Sequence, residues 1–224
     1  MIDFFADVMN PAVVRNPDIL AILDKQVELV RKVDLDKVGM ERNPDRDWYV
    51  SEEYCEKIKY MGAGHLGYPE SSLGFEIAEG KFAYNRTLAE RNDLIAEAHK
   101  IGIELCTYLG AHNKALHMIY PPGGYIGWHN NANASGYNIL FTWSEKGEGY
   151  WEHIDPKTGK TVRIPDVAGW QCKYGYFGSY REPERLCYHA ASTDCLRTTV
   201  AFIFNADETG KMMAEMVVEE IETA

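Results

Sequence analysis

Between residues 115 and 204 the chain breaks into eight short runs of β-type residues, each bounded by Gly, Pro, Asn or Asp. The runs fall at 115–120, 125–129, 138–143, 150–154, 161–164, 172–177, 185–189 and 198–204. Strands this short and this regularly punctuated suit a sandwich, jelly roll or barrel, where two sheets shield each other's apolar faces. Asp155-Pro156-Lys157-Thr158-Gly159-Lys160 reads as the hairpin turn between two of them.

The first 111 residues have a different texture and read as a mainly helical support. Asn16-Pro17-Asp18 is a helix start, with an N-cap, a proline in the first turn and an acid behind it. Ile19, Leu20, Leu23, Val27 and Val30 follow at helical spacing. Ser51-Glu52-Glu53 opens a short helix to about residue 60, and Thr87-Leu88-Ala89-Glu90 is a capping box. Behind that box Leu94, Ala98, Ile101, Leu105 and Tyr108 form one stripe that ends near Gly110. The glycine-rich stretch 62–69 reads as a loop, and no Lys-Ser/Thr follows it, which disfavours a phosphate loop. A last helix over about 210–221 puts Met212, Met213, Met216, Val217 and Ile221 on one side. The expected organisation is one domain, 1–224, with helical support at 1–111, a β-core at 112–206 and a C-terminal helix at 207–224. The fold class is mostly β with packed helices.

Composition excludes several classes. Hydrophobic residues make up 46% and charged residues 25%, which rules out wholesale disorder. Acids outnumber bases 34 to 23, a net charge of −11, so a general phosphate-backbone binder is disfavoured and nucleic acid is not an expected partner. Five cysteines, with no Cys-x-x-Cys, argue against a disulfide framework or a thiolate zinc site. The N-terminus lacks a basic region before its apolar residues, and no run approaches a membrane span. A cytoplasmic protein in a reducing compartment is the expectation.

Of the seven histidines, two stand out. His129 closes the run Tyr120-Pro121-Pro122-Gly123-Gly124-Tyr125-Ile126-Gly127-Trp128-His129-Asn130-Asn131. On a strand, His129 and Asn131 would face one side, as a pair holding one metal ion does. His189 ends a later run, Leu186-Cys187-Tyr188-His189, and Arg197-x-Thr199 follows at the head of Val200-Ala201-Phe202-Ile203-Phe204. An arginine buried there needs an anionic partner. Lys173, Arg181 and Arg185 are scattered, and Asp194 reads as a turn cap. Tyr137 and Trp143 are candidates to face a pocket.

These motifs resemble the Fe(II)/2-oxoglutarate-dependent dioxygenases, most closely their prolyl-hydroxylase-like branch, over roughly residues 112–206. The resemblance implies a double-stranded β-helix core, jelly-roll or cupin-like, with a helical N-terminal portion. It implies an iron site on His129, Asn131 and His189, the place of the family's His-x-Asp/Glu and distal His. It assigns Arg197, helped by Thr199 and Tyr120, to the far carboxylate of 2-oxoglutarate. The implied reaction uses Fe(II), O2 and 2-oxoglutarate, hydroxylates a peptide or protein side chain or a small molecule, and releases succinate and CO2. Segments 62–81 and 178–183 would shape substrate access.

Asn131 departs from the family pattern, which has a carboxylate there. Three readings follow: Asn131 coordinates through its amide oxygen; two histidines and an open position support an altered oxygenase or a halogenase; or the protein is a non-catalytic β-helix binding module. His153-Ile154-Asp155 is a literal His-x-Asp, but it leaves only two short runs before His189 and its Asp opens a hairpin turn. His129 is the favoured ligand.

Overall fold

Asn16 starts the first helix as its spacing predicts. Its side-chain oxygen accepts from the backbone N–H groups of Asp18 and Ile19, at 3.0 and 3.1 Å, which satisfies two donors that the first turn leaves open. The computed structural model describes residues 5, 9–35, 45–61, 70–74 and 88–224. In chain order its elements are β1 (Asn10–Ala12), α1 (Pro17–Lys32), α2 (Arg46–Tyr49), α3 (Glu52–Met61), β2 (Glu70–Ser71), β3 (Leu73–Gly74), α4 (Leu88–Leu109), β4 (Asn113–Tyr120), β5 (Tyr125–His129), β6 (Gly136–Ser144), β7 (Gly149–Ile154), β8 (Thr161–Pro165), β9 (Gly169–Phe177), β10 (His189–Thr193), β11 (Arg197–Phe204) and α5 (Glu208–Glu222). Thr87 and stretches 62–69 and 75–81 lie outside the described residues.

Two sheets form, with strand orders β1-β9-β6-β11-β4-β3 and β2-β5-β10-β7-β8, and every pair in them is antiparallel. From β4 to β11 the chain winds between the sheets, so that β4, β6, β9 and β11 share one and β5, β7, β8 and β10 the other. The fold is a double-stranded β-helix.

Alternation along β6 and β11 divides their side chains between two cores. Ile139, Phe141, Val200 and Phe202 pack with Ala98 and Leu105 of α4 and Val218 of α5. Leu140 and Ala201 belong instead to the interior between the sheets, with Tyr120, Ile126, Trp151 and Phe177. This alternation corrects the expectation for Tyr137 and Trp143. Tyr137 is in the helix-side core, where it meets Phe5 edge-on, and Trp143 lies under the guanidinium of Arg31.

The run expected at 185–189 is displaced. Residues Pro183–Arg185 form a 3-10 turn, and β10 begins at His189 rather than ending there. The helix stripes also shift at their edges. Tyr108, Met212 and Met216 are exposed, and α5 buries Ala214, Val217, Val218 and Ile221. All five cysteines are unpaired. No helix among the described residues is long and apolar enough to cross a membrane.

Candidate metal and anion site

His129 ends β5 and His189 begins β10, and the ladder sets them directly opposite each other. Their ring centroids are 4.2 Å apart. The register shifts just beyond this pair, because Ala191 pairs with Ile126 and three steps on β5 match two on β10. That extra residue is a β-bulge, which re-aims the side chains after it. It lets Ile126 and His129, three positions apart, line the same cavity.

Each imidazole is turned by the backbone two residues before it. Nδ1 of His129 lies 2.8 Å from the Gly127 carbonyl, and Nδ1 of His189 lies 3.1 Å from that of Cys187. A carbonyl only accepts, so Nδ1 carries a proton in both rings and Nε2 is the nitrogen left free to face a ligand. Burial, then the neighbouring His129, pushes His189 well below the usual imidazole range. It is neutral at pH 7, the form that binds metals.

The cavity these rings line has a volume of about 340 Å³. Ile126, Leu140, Phe177 and Ile203 give it an apolar wall, and Asn113, Asn131 and Asn138 supply amides. Asn131 follows the end of β5 and enters the cavity from a turn, in which its carbonyl accepts from Ala134 N–H at 2.9 Å. Two imidazoles held through Nδ1 and one amide oxygen fit a divalent ion that keeps several positions for other ligands. They supply no anionic donor. Among the described residues no set of three His, Cys, Asp or Glu side chains converges on one point.

His153 is nearer than the sequence implied. It pairs directly with His189 from the other side, so His129, His189 and His153 lie on one line across the sheet. Its ring packs against Trp151 at 5.1 Å, and it is outside the residues lining the cavity. Asp155 does serve its turn, accepting from Lys157 N–H and the Thr158 hydroxyl, both at 2.8 Å. Asp194 forms an ion pair with Arg46.

Arg197, Thr199 and Tyr120 come together one level below the cavity. Thr199 and Ala201 point to the same side of β11, and Ala201 lines the cavity. Arg197 Nη1 donates to Thr199 Oγ1 at 2.9 Å, and its guanidinium lies 4.8 Å from the Tyr120 ring centre. The anionic partner Arg197 requires is internal: Nε donates to Asp166 Oδ2 at 2.8 Å. The other oxygen, Oδ1, accepts from Lys173 Nζ at 3.0 Å and from Gln171 at 2.9 Å. Lys173 and the Asp166 carboxylate have no exposed side-chain surface. Burial alone would raise the Asp166 carboxyl, but Arg197 and Lys173 outweigh it and hold the group below its usual range. Gly149 makes room for that carboxylate, since a Cβ there would stand 2.6 Å from Oδ2.

Reading the sequence missed Asp166 and set Lys173 among scattered bases. Lys173 sits in the β9 run two positions beyond Gln171, and its inward parity was the available signal. Asp166 lies in a connection, and only the folded register brings it to Arg197.

No protein-family model matches the chain, and no curated protein matches it. Among solved structures, it is similar to a Pseudomonas putida prolyl-4-hydroxylase at 10% identity, covering 88% of this chain and 92% of that one, with a TM-score of 0.43. It is similar to the dioxygenase for auxin oxidation 1 of Arabidopsis thaliana, in complex with 2-oxoglutarate, at 12% identity, 82% and 78% coverage, and a TM-score of 0.34. The dioxygenase for auxin oxidation of rice matches at 14% identity, 86% and 71% coverage, and a TM-score of 0.32. At these values the likenesses carry no weight for the site, and the fold stands on the strand order.

Proposed function

We propose that the protein is an Fe(II)- and 2-oxoglutarate-dependent oxygenase. The observation that carries this reading is the pair of facing imidazoles, each held through Nδ1 by a backbone carbonyl, on a cavity with buried cations beneath it. His129 and His189 would hold the iron, with the Asn131 amide oxygen beside them. Bound there, ferrous iron would activate O2 as the oxidant, with 2-oxoglutarate oxidised to succinate and CO2 to supply two of the electrons.

The chain's own residues do the positioning. The two backbone carbonyls fix the tautomer and orientation of each ring. Arg197 offers its fork to the far carboxylate of the co-substrate, with Thr199 and Tyr120 at its sides. Ile126, Leu140, Phe177 and Ile203 exclude water from the reacting centre. The three amides at the cavity fit a neutral, hydrogen-bonding substrate such as a peptide segment or an uncharged small molecule.

Anaerobic titration with Fe(II) and 2-oxoglutarate tests this reading. A charge-transfer absorption band that is lost in His189→Ala is the expected result; no band and no retained iron in the wild type would sink it. The same titration tests a second reading, a binding module that has lost the chemistry. Asn131 in place of a carboxylate, and Arg197 already bonded to Asp166, favour that alternative.

Asn131→Asp is expected to tighten divalent-metal binding by at least about tenfold, because one added charge on a divalent ion exceeds the ~1.4 kcal/mol per decade even at high effective dielectric. Competition against a fluorescent chelator measures it. Unchanged affinity would place the residue outside the coordination sphere.

A further inference from the structure

The buried cluster under the cavity holds two cations and one carboxylate. Both oxygens of Asp166 are engaged, Oδ2 by Arg197 and Oδ1 by Lys173. The side chains completing the cluster are neutral: Thr199 accepts from Arg197 and meets Thr142 at 3.3 Å, Gln171 donates to Asp166, and Tyr120 lies under the guanidinium. Among the described residues one positive charge is therefore left without a counter-charge in a buried site, an arrangement that favours an incoming anion.

Lys173 is placed to share that anion. Its rung crosses the six-stranded sheet through Leu140, Ala201 and Leu116, and those three residues line the cavity. From this rung Nζ reaches down to the carboxylate that Arg197 reaches from below. We propose that Lys173 is a second carboxylate-binding residue, which holds the far carboxylate of a small dicarboxylate together with Arg197 while Asp166 neutralises only one of the two cations. The inference rests on the co-substrate reading above and adds a residue and a condition to it.

The condition is pH. The charged groups facing Lys173 are Asp166, from the β8–β9 connection, and Arg197, from β11. Its titratable neighbours are Cys172, next along β9, whose thiol burial pushes well up, and Tyr120 of β4 beside Arg197. Its register partners on either side, Leu140 of β6 and Pro11 of β1, are uncharged. Burial lowers the Lys173 ammonium to about 8, against the partial support of Asp166. A bound carboxylate stabilises the ammonium, so binding takes up a proton wherever Lys173 is neutral in the free protein. Affinity is full below pH 8 and declines above it.

Calorimetric titration of the metal-free full chain with glutarate, which has both carboxylates and no keto group, tests the proposal. Wild-type affinity is expected to fall about tenfold from pH 7 to pH 9, with uptake approaching one proton at the higher pH. Lys173→Met should bind weakly at both, and Lys173→Arg should keep the pH 7 affinity at pH 9. Circular dichroism verifies that each variant is folded. Binding that is independent of pH and of Lys173 would overturn the proposal. A parallel titration with Mn(II) and 2-oxoglutarate separates the two levels. Binding there that ignores Lys173 removes this inference alone, and no binding of either diacid at any pH removes the co-substrate reading as well.

Discussion

Asp166→Ala is expected to destabilise the fold by about 3–5 kcal/mol, the cost of leaving a buried charge without its partner. Here one deletion strands two cations, Arg197 and Lys173, inside the barrel. Urea unfolding at pH 7 measures the loss, and a variant within about 1 kcal/mol of wild type would show that water already screens the cluster. The pH dependence of the wild type has two windows of opposite cause. The Asp166 carboxyl titrates below its usual value in the folded protein, so its contribution is present above that usual value and is lost as pH falls toward the folded one. Lys173 is lowered from 10.5 to about 8, so between those values the unfolded chain binds the extra proton. Stability then rises with pH across that interval. Lys173→Met should abolish the alkaline rise and leave the acid limb.

Phe202→Ala is the second large effect, expected to cost about 3–5 kcal/mol. Phe202 is fully buried on the helix side of β11 and meets Phe141 edge-on at 6.2 Å. The opposite side of the same strand carries Arg197, Thr199 and Ala201. Truncation should therefore weaken glutarate binding as well as lower the unfolding midpoint, although Phe202 touches no part of the cavity. A variant that loses stability but binds glutarate as wild type does would show that the ionic cluster holds β11 in place by itself.

The β-runs were legible because alternation and turn chemistry are local. β5 lies where the spacing predicts, and the Asp155 turn makes the side-chain bonds its sequence promises. The misplaced β10 shows the limit. Cys187 and Tyr188 look like strand residues, yet the ladder starts only at His189, where partners exist on both sides. His129 was singled out by its approach sequence, and the turn role of Asp155 was readable too. The contents of the Arg197 cluster were not. Arg197 could be seen to need an anion, but whether that anion is a ligand or a side chain depends on how the β8–β9 connection folds back on β11. The three-histidine line was hidden for the same reason, since His153 and His129 become neighbours of His189 only through strand order.

Each imidazole is steered by the main-chain carbonyl two residues upstream, Gly127 for His129 and Cys187 for His189. No point substitution of a supporting side chain can remove such a tether. The gap between the two rings is set by the pairing of β5 with β10. A fluctuation that parts these two strands would change the bite of the pair while leaving each ring's tilt intact. Metal retention at the proposed site would accordingly gauge how tightly one inter-strand seam stays closed.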